Sequence, residues 1–261
     1  MRVRLLGTAA GGGVPQWNCA CPSCVHVRLT GQHRTQECAA VSANGTDWYL
    51  LNASPDLRTQ LITTPELTPG PGSRQTPIRG VVLTDAELDH TLGLFSLREA
   101  GSLDVYATGT VLSALEHHLP VRAMAGATFR ELHYGRAVDI GGLKVTAFAL
   151  GDKQPRYVAA ANGTDWVSGL RINNMVYAPC FGEWTAGLDE ALDRARLAII
   201  DGTFFSAAEM PNVKGHLSIE DSLVHLKRFP GVEFRYTHLN NTNPLLLDGQ
   251  GLPLAAESEL L

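Results

Sequence analysis

No apolar run in this sequence reaches the about 20 residues that a membrane-spanning helix requires, so a helical membrane protein is not expected. The opening stretch, MRVRLLGTAAGGG, breaks into glycines before its apolar segment is long enough for a secretory signal. A cytoplasmic location is the expectation. Asn-Gly-Thr at Asn44 and at Asn162 then reads as turn sequence, not as a glycosylation acceptor. Positive charge is scarce as well: 21 Lys and Arg against 26 Asp and Glu leave a net charge of -5. That balance gives no electrostatic footprint for nucleic acid and disfavours a polyanion as the main partner. Cysteine is limited to five, an odd number that does not build a disulfide framework in a reducing compartment.

What is present is an ordinary globular composition, 44% hydrophobic and 18% charged over 261 residues. One domain spanning 1–261 accommodates it, a large α/β or two-layer sandwich with a sizeable core. Short β-branched or apolar runs alternate with amphipathic segments, which predicts a mixed α/β class. Strands are predicted at 3–7, 47–53, 80–84, 103–107, 143–150, 169–178, 197–201 and 232–239, and helices at 55–63, 90–99, 109–118, 186–196 and 218–228. Ser218 and Asp221 form a capping-box-like pair at the start of the last helix, with His216 in the turn before it. The Pro- and Gly-rich stretch 64–77 reads as an exposed loop within the domain. The string ANGTDW, at 43–48 and again at 161–166, reads as two similar hairpins.

Three of the cysteines, Cys19, Cys21 and Cys24, crowd into CACPSC. Three thiols at that spacing can take three corners of a tetrahedral zinc site, with a redox thiol cluster as the competing reading. Cys38 and Cys180 stand alone and read as small buried hydrophobes. The stretch LTDAELDHTLGL places Asp85, Glu87, Asp89 and His90 at the C-terminal end of strand 80–84, where open α/β architectures gather functional groups. Its competing reading is a solvated acidic loop. Asp201 and His238 repeat the pattern at the ends of two later apolar strands. Two imidazoles plus carboxylates, with open positions left over, suit Fe(II), Mn or Zn. His216, ahead of a helix N-terminus, suits a proton donor or an anion-facing group. His26, His33, His117, His118, His133 and His225 have no matching partner in the sequence.

Taken in order, LTDAELDHTLGL, LAIIDGT, KGHLS and THLN resemble the signature of the metallo-β-lactamase superfamily. LGTAAGGGVPQWNCACPSC, RTQ (34–36), LNASPD (51–56), SLRE (96–99), DGT (201–203) and HLNNTNP (238–244) resemble, more narrowly, the B-protein family of pyrroloquinoline quinone biosynthesis. The resemblance implies an αββα sandwich with the metal at the sheet edge between its halves. It places Asp89, His90 and His238 on the active-site metal and Asp201 where the superfamily bridges or supports metals. Asp85 and Glu87 occupy the two positions where hydrolytic relatives carry histidines, and LGDKQPRYV lacks the third histidine of that first metal site. One metal is therefore expected, although two carboxylates can still hold a hard cation weakly.

What the resemblance implies about activity is an Fe(II)- and O2-dependent hydroxylase acting on a tyrosine ring in a peptide-derived substrate, in pyrroloquinoline quinone synthesis or a related pathway. His216, Asp85 and Glu87 stand as its catalytic candidates, His216 for proton transfer or substrate positioning. Related phosphodiesterases use a histidine three residues after the last active-site histidine on their structural zinc, and Asn241 holds that place here. The tail after NNTNP and the regions 150–168 and 203–216 look shorter than in the family, so the wall of the site is expected to differ. A metal-dependent phosphodiesterase and a non-catalytic carrier of a cofactor or peptide are the rival readings. A homodimer is compatible with all three.

Overall fold

The computed structural model describes residues 1–121, 126–158, 164–211, 213–249 and 251–261. Among these residues, twelve strands fall into two six-stranded sheets, each running in chain order. The first holds β1 (Arg2–Gly7), β2 (Cys38–Ser42), β3 (Trp48–Leu51), β4 (Ile78–Val82), β5 (Leu103–Thr108) and β6 (Ala127–Leu132). In the second are β7 (Ala137–Ile140), β8 (Leu143–Gly151), β9 (Val167–Ile172), β10 (Met175–Ala178), β11 (Leu197–Asp201) and β12 (Glu233–Thr237). Pairing is parallel from β3 through β6 and from β10 through β12, and antiparallel elsewhere. Among the described residues, six α-helices accompany them: α1 (Pro22–Thr30), α2 (Leu57–Thr63), α3 (Leu88–Thr91), α4 (Gly109–His118), α5 (Ala186–Leu192) and α6 (Ile219–Leu226).

The layering follows from strand periodicity. Successive side chains point to opposite faces, so a strand covered on both sides needs apolar residues at every position. Leu51 of β3 and Met175 and Tyr177 of β10 join Val3, Leu5, Val145, Leu170 and Ile199 in a core drawn from both sheets and no helix. Their neighbours Trp48, Leu50, Val176 and Ala178 face the other way and pack with Leu57 of α2, Val111 and Leu115 of α4, Leu188 of α5 and Ile219 of α6. Two parities feeding two cores make the αββα sandwich that the sequence predicts. No helix among the described residues is long and apolar enough to cross a membrane.

The structure departs from the sequence reading in three respects. The predicted helix 90–99 is a single α turn, α3, followed by a 3-10 segment over Leu92–Leu97. Ala53 N–H takes the His90 carbonyl at 2.7 Å and Gly93 N–H goes to Ala53 O at 2.9 Å, so tertiary bonds replace the helical ladder. A Cβ on Gly93 would collide with the Ser54 carbonyl, so only glycine allows this approach. The predicted strand 169–178 is the hairpin β9–β10, turning at Asn173 (φ 53°) and Asn174. Strands β2, β6 and β7 and helix α1 are additional to the prediction. β6 and β7 are edge strands in which half the residues are exposed, and their apolar positions are too few to mark a strand in the sequence. The Asn44 turn is present, Asn44 Oδ1 accepting from the Thr46 and Asp47 amides at 2.9 Å each. Asn162 lies outside the described residues, as do 161–163 of the second ANGTDW string.

Candidate metal centre

Parallel β4, β10, β11 and β12 deliver their C-terminal ends to one edge of the sandwich, and chemistry collects there. After β4, Asp85 is buried and accepts from Thr84 Oγ1 at 2.8 Å, the Glu87 amide at 2.9 Å and His90 Nδ1 at 2.8 Å. Burial works against its charge, but His90 and these hydrogen bonds outweigh it and hold the carboxyl below its ordinary value. His90 is fully buried, and against that burial Asp85 and Asp89 push its imidazole well above the ordinary histidine value. Two carboxylates flanking one imidazole make this corner negative, which favours a divalent cation once the imidazole has lost its proton. His90 Nε2 is buried without a hydrogen-bond partner, 3.7 Å from the Glu37 carboxylate.

At the end of β12, His238 adopts a left-handed φ of 60°, which turns its ring inward toward Asp89, Nε2 lying 3.3 Å from Asp89 Oδ2. Its Nδ1 is 2.8 Å from Thr203 Oγ1, and Thr203 Oγ1 is 2.7 Å from Asp201 Oδ1. Because the hydroxyl donates its one proton to the carboxylate, it accepts from His238 Nδ1–H. The lone pair of Nε2 is thereby left for a cation or proton. Burial lowers the His238 pKa, and His90 and His238 hold Asp89 far below the carboxylate range although burial opposes it.

Asp201, at the end of β11, has its oxygens taken by the Phe181 amide (3.0 Å), the Thr203 amide (2.9 Å), Thr203 Oγ1 (2.7 Å) and His216 Nδ1 (2.8 Å). His216 stacks on His238 with ring centroids 5.3 Å apart and planes 16° from parallel. His90 meets His238 edge-on at the same separation. Each imidazole thus has a carboxylate against it: Asp85 on His90, Asp89 on His238 and Asp201 on His216. Glu87 faces elsewhere, its Oε1 3.2 Å from Lys153 Nζ.

Two groups at the centre escaped the sequence reading. Cys180, two residues past β10, is not merely a small buried hydrophobe. Its thiol, His90 and His238 each offer a ligand atom within 4.8 Å of the others, and the same thiol groups with Asp201 and His216. Burial pushes that thiol well above its ordinary pKa, with His90 opposing. The only signal was its place at a strand end, in YAPC. Thr203 is the second, and it stood in plain view inside the DGT motif. Cys38 does lie in the core.

A second cluster holds the Sγ atoms of Cys19, Cys21 and Cys24 within 4.8 Å of one another. Cys21 caps α1, Pro22 opens it and Cys24 sits in its first turn. The Asn241 side-chain amide lies 3.1, 3.7 and 3.6 Å from the three sulfurs. Amide N and O are interchangeable by a flip, so Asn241 can turn its oxygen to the same point. Three thiols around one centre, with an oxygen donor opposite, fit zinc. At the sheet edge, carboxylate and imidazole donors with an unpartnered buried nitrogen fit iron, manganese or zinc.

Known proteins resemble this chain in sequence and in fold. The profile of the Beta-lactamase superfamily domain matches residues 47–239. Coenzyme PQQ synthesis protein B of Methylobacterium radiotolerans is 34% identical, covering 95% of this chain and 92% of its own. Its counterpart from Bradyrhizobium diazoefficiens is 35% identical, covering 98% and 95%. Among solved structures, Zn(2+)-bound PqqB from Methylobacterium extorquens superposes with a TM-score of 0.90 at 30% identity, covering 100% of this chain and 99% of that one. A diphosphatase from the PhnP family shares the fold at a TM-score of 0.78 and 19% identity, covering 100% and 96%. The chain belongs to the metallo-β-lactamase superfamily and, within it, to the coenzyme PQQ synthesis protein B family.

Proposed function

We propose that this protein is a mononuclear iron-dependent oxygenase that hydroxylates a tyrosine-derived ring during synthesis of coenzyme PQQ or a related peptide-derived product. The observation that carries the reading is the convergence of one carboxylate and two imidazoles, Asp89, His90 and His238, at a sheet edge where Asp85 and Glu87 are engaged by other partners. Asp89, His90 and His238 would hold Fe(II), with Cys180 and Asp201 beside it, and the ion would supply activation of O2 next to a bound ring oxygen. A site with two His and one or two carboxylates leaves positions open for both, whereas hydrolysis on this fold relies on a second metal.

The protein's own residues supply the proton handling. His216 Nδ1–H donates to Asp201, which leaves Nε2 free to accept the phenolic proton as the ring is oxidised, and Asp201 stabilises the imidazolium so formed. Thr203 holds His216 and His238 in register through one hydroxyl, 3.0 and 2.8 Å from their Nδ1 atoms. Asp85 fixes the His90 ring. The thiols of Cys19, Cys21 and Cys24, with Asn241, would hold a separate structural zinc.

A metal-dependent phosphodiesterase is the second reading, favoured by the same Asp201–His216 pair, which would protonate a leaving oxygen equally well. The two separate on comparing iron-loaded and zinc-loaded protein with a tyrosyl peptide and with a phosphodiester. Oxygen uptake with the peptide, in the iron form alone, supports the oxygenase. Turnover confined to the zinc form and the phosphodiester overturns it.

A further inference from the structure

Asp85 and Glu87 are the carboxylates that could hold a second cation beside the centre, and the structure shows what each does instead. Asp85 spends its oxygens on Thr84, the Glu87 amide and His90. Glu87 faces the Lys153 ammonium at 3.2 Å. Lys153 arrives from the segment that follows β8, and its methylenes cross Gly215, the residue before His216. A Cβ on Gly215 would strike Lys153 Cδ, and Gly215 has a φ of 98°, so the turn carrying His216 is shaped around the lysine stem. Although burial opposes the charge, Glu87 above all raises the ammonium above its ordinary value.

We propose that Lys153 is a built-in cation that takes the place a second divalent ion would need beside Glu87 and Asp85, and thereby sets the metal count of the centre at one. This rests on the reading of Asp89, His90 and His238 as a metal centre. Two carboxylates with no imidazole between them bind a divalent ion weakly, and a tethered ammonium competes from within the chain at high effective concentration. A second ion would also be repelled by both the ammonium and the first metal. The lysine is thus a specificity-determining residue for metal number.

Manganese binding tests this without reference to turnover. Mn2+ prefers oxygen and nitrogen donors to thiolates, so with zinc already on the three cysteines it reports the centre. Equilibrium titration followed by the EPR signal of free Mn2+ is expected to give one equivalent per chain for the wild type and for Lys153→Arg. Lys153→Gln is expected to take two, and the double variant Lys153→Gln with Glu87→Gln to return to one, with circular dichroism showing each folded. If Lys153→Gln folds and still takes one equivalent, or if the wild type takes two, the proposal is overturned while the metal centre stands. A wild type that takes none at the centre overturns the metal-centre reading and the proposal together.

Discussion

A single hydroxyl, that of Thr203, touches three of the groups that matter: Asp201, His216 and His238. It orients a candidate ligand it never replaces. Thr203→Val keeps the shape and removes the hydrogen bonds, so metal affinity at the centre is expected to fall about 10–100-fold. Unchanged affinity in a competition titration would remove Thr203 from the machinery. His238→Ala is expected to abolish metal at the centre while leaving the fold intact, because the residue follows β12 and is not part of either apolar core. Full metal occupancy in that variant, measured by elemental analysis, would sink the ligand assignment. Asp89–His90, Asp201, His216 and His238 were legible as candidates because strand-end position and local motif mark them in the sequence. Cys180 and Lys153 were not: nothing in YAPC or GDKQP says what lies opposite in space.

At the scale of elements, the C-terminal segment closes an exposed edge. β1 ends the first sheet, and its free side pairs with the tail through Val3 N–H to Leu261 O (3.1 Å), Leu261 N–H to Val3 O (2.8 Å) and Leu5 N–H to Glu259 O (2.9 Å). Glu257 anchors that tail, accepting from the Thr35 amide at 2.6 Å, from Thr35 Oγ1 at 2.6 Å and from Thr8 Oγ1 at 2.8 Å. Burial nevertheless raises its pKa above the ordinary value of 4.5. A raised carboxyl binds its proton more tightly in the folded chain than in the unfolded one. Its contribution to stability therefore grows as pH falls through the folded value and is complete below the ordinary one. The stability of the wild type relative to Glu257→Gln is accordingly expected to rise as pH drops from neutral toward 4.5. Denaturant unfolding across that range checks it, and a difference that does not change with pH would contradict it.

Across the whole molecule, the cysteine cluster couples the N-terminal loop to the centre. Asn241 follows His238 by three residues, and beside it Leu239 pairs with the loop, N–H to Thr8 O and O to Ala10 N–H, both at 2.9 Å. A metal held by Cys19, Cys21 and Cys24 binds only the folded arrangement, so it stabilises by mass action, about 4 kcal/mol at a free concentration a thousandfold above Kd. Stripping zinc with a chelator is expected to lower the melting temperature of the wild type and to leave Cys24→Ser unaffected. Equal melting with and without the chelator in the wild type would refute a structural metal.

What the sequence determined by itself is considerable: a mixed α/β class, from apolar runs of strand length alternating with amphipathic ones, and a family, with the αββα sandwich it implies, from motifs spread between CACPSC and HLNNTNP. Local pattern suffices there, because periodicity and spacing are properties of neighbouring residues. Tertiary structure decided the rest. Segment 90–99 departs from a regular helix because Ala53 captures the His90 carbonyl. Cys180 joins the imidazoles, and Glu87 turns to Lys153. Each of these outcomes depends on which group arrives from a distant part of the chain, 66 residues along for Lys153, and hydrogen bonds and ion pairs act through space over a few ångströms regardless of separation in sequence.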